Sequence, residues 1–319
     1  LKLLKTKSIE CAIIDSTVQE KNISYPTDAK LYYKAITLLS KVAKTLGVKL
    51  RQSYIRVGKK FLIKINRYNH AKQFKRKQKT LKKLKNRAKR VYREIIRYIE
   101  LNSITLDTKT KELLSNIQRV LNQIKYSKNK IYSLSEPSVV CISKGKAHKR
   151  YEFGNKSSFI TTSKESFILY ADAHQGNPYD GHTLKYMLQN TKESLKEITN
   201  KTIKYLFADK GYRGHNYKED TQVILETSAN KKKYKELKRR SSIEAVFSHT
   251  KQHHRMNRNF LKGVKGDLIN TILSACGYNL KKIYNKFKKE YLKLLSFLFL
   301  LFFLKEKPQK VFVFYKTDD

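Results

Sequence analysis

Residues 203–214 read Ile-Lys-Tyr-Leu-Phe-Ala-Asp-Lys-Gly-Tyr-Arg-Gly. The first six residues form a short apolar run that is typical of a buried strand, and Asp209 follows this run directly. In open α/β sheets, ligands bind beyond the carboxyl ends of the strands, so an acid at this position is a candidate functional residue. The stretch therefore predicts an α/β fold with a carboxylate at the ligand-binding edge of its sheet.

A second strand with the same pattern lies near the start of the chain. Residues 9–18 (Ile-Glu-Cys-Ala-Ile-Ile-Asp-Ser-Thr-Val) are rich in β-forming residues and end in a turn. This pattern predicts that Asp15 stands near the carboxyl end of the first strand. Asp15 and Asp209 thus become two candidate acids at two strand ends.

The period of the apolar residues divides the chain into parts. Between the two strands the period is helical and the sequence basic, and at 151–162 and 166–173 it returns to two, which predicts a β-hairpin. The predicted parts are a first core strand in 1–25, a basic helical insertion in 26–130, the rest of the core in 131–265, and a C-terminal helical tail in 266–319.

Residues 240–251 (Arg-Ser-Ser-Ile-Glu-Ala-Val-Phe-Ser-His-Thr-Lys) predict one amphipathic helix. Ile243 and Phe247 share a face that can seat the helix on a core. The polar stripe beside that face consists of Arg240, Glu244, Lys251 and, one turn further on, Arg255. A carboxylate flanked by cations suits a site for a metal ion and a phosphate. The alternative is a solvated face with i,i+4 ion pairs.

The composition favours a polyanionic partner. The chain has 319 residues with 70 Lys and Arg against 26 Asp and Glu, a formal charge of +44. Such a field attracts nucleic acid, although an A/T-rich genome also inflates Lys and charge alone gives no specificity. At 40% hydrophobic residues the chain can bury a core, so composition does not predict disorder.

The cysteines and the longest apolar run bear on the compartment. Three cysteines without paired spacing predict neither a zinc ribbon nor a disulfide framework, and we expect a cytoplasmic protein. No secretory leader is visible. Residues 294–304 are apolar but number only eleven, short of the ~20 that a membrane helix needs. We therefore expect a packing or oligomerising helix there and no membrane partner.

Three acids could form one catalytic site. Carboxylates of Asp15, Asp209 and Glu244, meeting from two strand ends and a helix, would hold two Mg²⁺ ions about 3.5–4 Å apart for in-line displacement at phosphorus. Each acid alone could instead be a helix cap or a turn former. Asp180 is a rival for the place of Asp15, but turn chemistry in Gly-Asn-Pro-Tyr-Asp-Gly explains it better, and Asp172 is a weaker rival.

Several blocks of the chain together resemble DDE transposases of the bacterial insertion-sequence group often called IS-five, within the IS-four/IS-five superfamily. The blocks are Asp-Ser-Thr-Val-Gln-Glu-Lys at 15–21 with Tyr-Pro-Thr-Asp at 25–28, Lys-Gly-Lys-Ala-His-Lys at 144–149 with Tyr-Glu-Phe-Gly at 151–154, Gly-Asn-Pro-Tyr-Asp-Gly-His-Thr-Leu at 176–184, Ala-Asp-Lys-Gly-Tyr-Arg-Gly-His at 208–215, and Arg-Arg-Ser-Ser-Ile-Glu at 239–244 continuing to His-Arg-Met-Asn-Arg-Asn at 254–259. They follow one another in consistent order over about residues 10–285.

The resemblance implies an RNase H-like mixed sheet with the helical block inserted after its first strand. Asp15, Asp209 and Glu244 match the three catalytic and metal-binding acids of the family, with Mg²⁺ or Mn²⁺, two ions, as the cofactor. Arg240, Glu244 and Lys251 match its Arg-x3-Glu-x6-Lys signature. Leu237 stands where the wider signature has Tyr, with Tyr234 and Tyr212 as possible stand-ins. In relatives a further N-terminal region precedes the first acid, and from the resemblance we expect this sequence to be without it.

The function that the resemblance implies is cleavage of transposon ends and their joining to target DNA. Double-stranded DNA is then the partner, and the chain is expected to form a homo-oligomer on DNA. We expect the protein to be cytoplasmic and associated with the nucleoid. Lys210, Arg213, Arg240, Lys251 and Arg255 are the candidate phosphate-binding cations. His249, His253 and His254 could ligate a metal by spacing, but DNA contact fits better.

Two other functions remain open at this point. A non-catalytic DNA-binding remnant of a transposase needs only the charge, whereas a metal-dependent nuclease of the same fold needs the acids but does not join DNA strands. Retention of Asp15, Asp209 and Glu244 together favours an enzyme.

Overall fold

The computed structural model describes residues 6–143 and 149–305. In chain order the elements are α1 (Thr6–Ile9), β1 (Cys11–Glu20), α2 (Asp28–Thr45), α3 (Ile55–Arg67), α4 (Phe74–Leu101), α5 (Thr108–Asn122), β2 (Val140–Ser143), β3 (Tyr151–Thr162), β4 (Ile168–His174), α6 (Asp180–Lys196), β5 (Tyr205–Ala208), β6 (Gln222–Leu225), α7 (Ser228–Lys233), α8 (Ser242–His253) and α9 (Gly263–Lys305). The block at 144–148 that contributes to the family resemblance lies outside the described residues.

The strands form one mixed sheet in the order β2-β3-β1-β5-β6, with β4 also paired to β3. β1 runs antiparallel to β3 and parallel to β5, and β5 runs parallel to β6. β3 and β4 pair antiparallel, which confirms the predicted hairpin. The α/β class is therefore confirmed as an open mixed sheet with helices.

The predicted end of the first strand is wrong. β1 continues to Glu20, so Asp15 lies in its middle rather than at its carboxyl end. The reason is that β3 pairs with β1 along the whole stretch, from Ala12 opposite Thr162 to Glu20 opposite Gly154. The β-formers of 9–18 do not show this because the long partner strand comes more than 130 residues later.

Alternating side chains give the sheet two buried faces. Ile14 and Leu206 belong to an apolar cluster with residues of α6, whereas Ile13 and Phe207 belong to a cluster with residues of α8 and α9. Neighbouring strand residues point to opposite faces. Asp15 and Asp209, two positions beyond Ile13 and Phe207, therefore lie on the α8 side of the sheet.

The helices α2 to α5 build a separate apolar core. That core extends from Ala29 to Leu134 and contains residues from all four helices. Thr27 caps α2, with its hydroxyl accepting a hydrogen bond from the Lys30 N–H at 3.3 Å. We call residues 28–134 the helical block.

The basic helix α4 is buried along one stripe. Leu84, Ala88, Val91 and Ile95 are all fully buried in the core of the helical block. This buried seam is covered by neighbouring helices of the same chain, because α4 contacts α2, α3 and α5. An intermolecular coiled coil is not needed to cover the seam.

The C-terminal apolar run continues α9. The helix extends through Lys305, and Phe297 and Leu298 are exposed on it. Within the described part of the chain, none of the helices combines the length and the hydrophobicity that crossing a membrane requires.

Candidate active site beside two parallel strands

Strand register brings the first two predicted acids together. Ile13 of β1 is paired in parallel with Phe207 of β5. Two residues further along each strand, the same alignment places Asp15 next to Asp209. β5 ends at Ala208, so Asp209 lies just beyond its strand, whereas the neighbouring Asp15 still belongs to β1. The middle of one strand and the end of its neighbour thus form a single acidic edge.

Burial makes the Asp15 carboxyl group unusual. Desolvation is the main reason that its pKa rises to about 6, and the nearby Asp209 and Asp180 carboxylates raise it further. A hydrogen bond from the Ser16 N–H at 2.7 Å and the charge of Arg240 act in the opposite direction. Carboxylates that lie close together and are partly shielded from water favour either protonation of one group or the binding of a cation.

Asp209 and Asp180 lie on either side of Gly211. The Asp209 carboxylate accepts a hydrogen bond from the Gly211 N–H and caps the short 3-10 helix Lys210–Tyr212. A Cβ at position 211 would lie 3.3 Å from Asp209 Oδ1 and 3.5 Å from Asp180 Oδ2. Asp180 is also held by Lys156, whose Nζ donates to its Oδ1 at 3.1 Å. The prediction explained Asp180 by turn chemistry alone, but its carboxylate also belongs to the acidic edge.

Tyr212 is buried close to these acids. Tyr212 is 1% exposed, and its hydroxyl makes no hydrogen bond that meets ordinary geometry within the described residues. Burial, and the charges of Asp180, Asp15 and Asp209, raise the pKa of Tyr212 well above its usual value. The Tyr212 hydroxyl therefore stays protonated, and it adds a neutral polar group close to the acids.

Glu226 extends the acidic edge to a third strand. Leu225 ends β6 opposite Ala208 of β5, so Glu226 and Asp209 occupy matching positions. Glu226 forms an ion pair with Arg240 Nε. Its position obeys the same rule that singled out Asp209, an acid directly after an apolar strand, so the sequence contained the signal for it.

Arg240 connects the strands to α8. Its Nη1 lies 3.3 Å from Asp15 Oδ2, and its Nη2 lies 3.8 Å from Glu244 Oε1. Because Glu226 also contacts it, one guanidinium meets three carboxylates. The predicted role of Arg240 as a phosphate contact stays a prediction, since in this structure the side chain is committed to acids.

The helix that presents Glu244 lies two residues further along the chain than the sequence predicted. α8 begins at Ser242, so Arg240 precedes it, and it ends at His253. Arg255 has a left-handed backbone with φ of 58°, so the polar stripe does not continue to it. Ile243 and Phe247 do seat the helix on the sheet, as expected. Glu244 stands in the first turn on the same side as Asp15, but its side chain is 67% exposed.

The carboxylates fit a divalent cation in their chemistry. Within 6–143 and 149–305, no three His, Cys, Asp or Glu side chains are grouped so as to hold a metal ion by themselves. Mg²⁺ is usually bound through one or two carboxylates together with substrate phosphates, and the adjacent carboxylates of Asp15 and Asp209 match that number of protein ligands. The raised pKa of Asp15 beside Asp209 supports this fit, because a cation offsets the repulsion between the two groups.

The remaining predicted cations follow either Asp209 or Glu244 in the sequence. Lys210 and Arg213 are exposed directly after Asp209, and Arg255 is exposed beyond α8. Lys251 is half-buried on α8. His249 stacks on His253, and His254 makes edge-on ring contacts with His253 and Tyr278, so the three imidazoles do not converge on a common centre.

The chain is similar to known proteins over part of its length. Residues 196–284 match a family described as a transposase DDE domain. A segment of 70 residues is 46% identical to an uncharacterized protein of Rhizobium meliloti, ORF8 in the nfe locus. This match covers 22% of the chain and 34% of that relative. No solved structure matches the chain. The resemblance to DDE transposases is thereby confirmed for the segment that contains Asp209 and Glu244.

Proposed function

We propose that this chain cleaves transposon ends and joins them to target DNA in reactions that depend on Mg²⁺ or Mn²⁺. The observation that supports the proposal most is the parallel register that sets Asp15 beside Asp209, in a chain whose segment 196–284 matches a transposase DDE domain. An RNase H-like arrangement of the core, with the helical block inserted after β1, belongs to the same proposal.

Asp15 and Asp209 would hold the divalent ions, with Glu244 completing the set once DNA is bound. When bound, such ions supply an activated oxygen nucleophile and stabilise the leaving oxygen. Arg240 contacts both Asp15 and Glu244, so it orients the two acids relative to each other. The exposed Lys210 and Arg213 would contact phosphate oxygens beside the acids.

The two reactions share one chemistry. In cleavage, an oxygen of water forms a bond to phosphorus while the bond from phosphorus to the 3′ oxygen breaks. In joining, the released 3′-hydroxyl attacks a phosphorus of the target and displaces another 3′ oxygen. Both steps exchange one phosphodiester bond for another P–O bond and need no oxidant or reductant.

The test uses the purified chain, Mg²⁺ or Mn²⁺, and duplex DNA that contains the inverted repeats flanking the gene. We expect nicked and joined products, and we expect Asp209→Asn to lower the rate about 1000-fold or more, because stabilisation worth several kcal/mol depends on the bound ion. Asp28→Asn, which changes an exposed acid in the first turn of α2, is the matched control. Undiminished activity in Asp209→Asn would overturn the site.

Glu244→Gln tests whether the site uses three acids. Glu193→Gln on α6 is a matched control, since Glu193 is also an exposed helical glutamate. Loss of activity in Glu244→Gln alone supports a three-acid site, whereas normal activity in both variants rejects the role of Glu244. Nicked DNA without any joined product would identify a nuclease instead.

A second candidate function is DNA binding without catalysis. It is favoured by the exposed Glu244 side chain and by the commitment of Arg240 to three carboxylates. This candidate predicts that the protein binds duplex DNA but gives no metal-dependent product. The same assay, with binding measured in parallel, therefore separates the two functions.

A further inference from the structure

The outer face of α4 presents a row of cations. At 100° per residue, six of them fall in a sector of roughly 80°, about half a turn away from the buried seam of Leu84 and Val91. All six are exposed. The row, called here the α4 row, consists of Lys75, Lys79, Lys82, Arg90, Arg93 and Arg97.

The α4 row is not neutralised within the described chain. No carboxylate lies within 4.0 Å of its six side chains in residues 6–143 and 149–305. Of the two acids on α4, Glu94 accepts a hydrogen bond from the Arg51 N–H at 2.9 Å, and the exposed Glu100 lies three residues beyond Arg97, at the C-terminal end of the row. Arg90 donates to the Tyr54 hydroxyl at 3.0 Å, which holds its side chain but leaves its charge.

A row of this kind destabilises its own helix. Lys75 and Lys79 are four residues apart, and Lys79 and Lys82 are three apart, so like charges are neighbours on the helix surface. A solvated face that served only solubility would gain from alternating acids at these spacings. The uncompensated repulsion suggests that an external anion offsets it.

The row spans about the length of one turn of duplex DNA. Twenty-two residues separate Lys75 from Arg97, which corresponds to about 33 Å along a straight helix. One turn of B-DNA measures about 34–36 Å. The fully buried seam fixes α4 in the core of the helical block, so the cations are spaced before any partner arrives.

We propose that the α4 row binds the phosphate backbone of duplex DNA and anchors it without reading its sequence. This inference rests on the proposed function only in that DNA is the substrate. It names a binding surface on the helical block that is separate from Asp15 and Asp209. Neither strand cleavage nor a metal ion is required for the contact.

The test compares two variants of the full chain that lose the same charge. The row variant combines Lys79→Gln, Lys82→Gln, Arg93→Gln and Arg97→Gln. The control variant combines Lys109→Gln, Lys111→Gln, Lys128→Gln and Lys201→Gln, four exposed lysines outside the row. Binding to a 30-base-pair duplex is measured in EDTA at several salt concentrations, so that no cleavage occurs. Thermal unfolding of each variant verifies that it is folded.

For the row variant we expect the slope of log K against log salt to fall by about 2 to 4, because each lost phosphate contact removes about 0.9 from the slope. The control variant is expected to change the slope by less than about 1. Equal changes in the two variants would overturn the proposal, because they would reflect net charge alone. A loss in the row variant that is as large for single-stranded DNA would overturn the duplex contact.

This outcome is distinguishable from failure of the proposed function. If Asp209→Asn keeps full cleavage activity while the row variant loses duplex binding, the active site is wrong and the α4 row stands. If the row variant binds like the control while Asp209→Asn is inactive, the proposed active site stands and the α4 row is rejected.

Discussion

The helical block and the sheet region bury different kinds of residue. In the described residues between 28 and 134, Asn116 is the sole buried polar or charged side chain. The sheet region buries many, among them Gln19, Lys21, Lys156 and Asp267. Burial of a polar group costs free energy unless it is hydrogen-bonded, so the two regions are stabilised in different ways.

The difference follows from the side chains that each region brings together. The helical block packs apolar side chains in its core and keeps its cations on the outside. The sheet region holds Asp15, Asp180 and Asp209 close to one another, and polar partners such as Lys156 beside Asp180 offset part of their charge. This comparison predicts that the stability of the sheet region depends on buried ion pairs and that the stability of the helical block depends on buried apolar volume.

The largest stability effect is expected from Lys21→Met. Lys21 Nζ lies 2.8 Å from Asp267 Oδ1 and 3.4 Å from Glu136 Oε2, and its side chain is 1% exposed. Its removal leaves two carboxylates without their cation, which typically costs about 3–5 kcal/mol. Urea unfolding measures this loss.

Lys149→Met is the control for Lys21→Met. Lys149 pairs with Glu20, but its side chain is 44% exposed. An exposed ion pair is worth about 0–1 kcal/mol. Similar losses in the two variants would refute the idea that burial makes the Lys21 pair important.

Leu84→Ala tests the helical block. Leu84 is fully buried in its core, so a cavity should cost about 2–5 kcal/mol in the free energy of unfolding. Leu101→Ala, at the end of the same helix, is a matched control because Leu101 is 78% exposed, and it should cost less than about 0.5 kcal/mol. A small effect of Leu84→Ala would mean that α4 is not held by its seam.

The smallest expected effect is a gain in stability from Asp15→Asn in EDTA. The pKa of Asp15 is about 6 in the folded protein against 3.8 as the ordinary value. Between these values the folded state binds the proton more tightly, so the contribution of Asp15 to stability falls as pH rises and is constant above about 6. Asn removes this penalty, and we expect a gain of about 1–3 kcal/mol at pH 8.

The same variant should gain little at pH 4, where Asp15 is protonated in the folded protein. Unfolding curves at pH 4 and pH 8 measure both values, and Asp28→Asn serves as the control. An equal gain at the two pH values would exclude ionisation of Asp15 as the cause. Mn²⁺ should raise the melting temperature of the unsubstituted protein at pH 8 and should have less effect on the Asn variant.

Much of the fold could be predicted because its signals are local. The alternation at 151–162 and 166–173 predicted the β3–β4 hairpin, and the helical period predicted α2 and α4. Asp209 was found because it directly follows an apolar strand. Glu226 obeys the same rule but is harder to recognise, since the apolar run before it covers only residues 223–225, whereas the run before Asp209 covers residues 203–208.

Asp15 and Asp180 could not be placed correctly for a different reason. The length of β1 depends on β3, and the position of Asp180 beside Asp209 depends on how α6 meets the 3-10 helix Lys210–Tyr212. Both are contacts between segments that are far apart in the sequence. The partners of Arg240 are hidden from the sequence in the same way.

The sequence by itself determined the elements, the basic charge, the acids available for chemistry and the resemblance to DDE transposases, because propensity, periodicity and motif are properties of neighbouring residues. The tertiary structure alone decided which acids meet. The register between β1 and β5 places Asp15 beside Asp209. The guanidinium of Arg240 contacts the carboxylates of Asp15, Glu226 and Glu244. The physical reason is that register and burial are fixed by packing between distant segments.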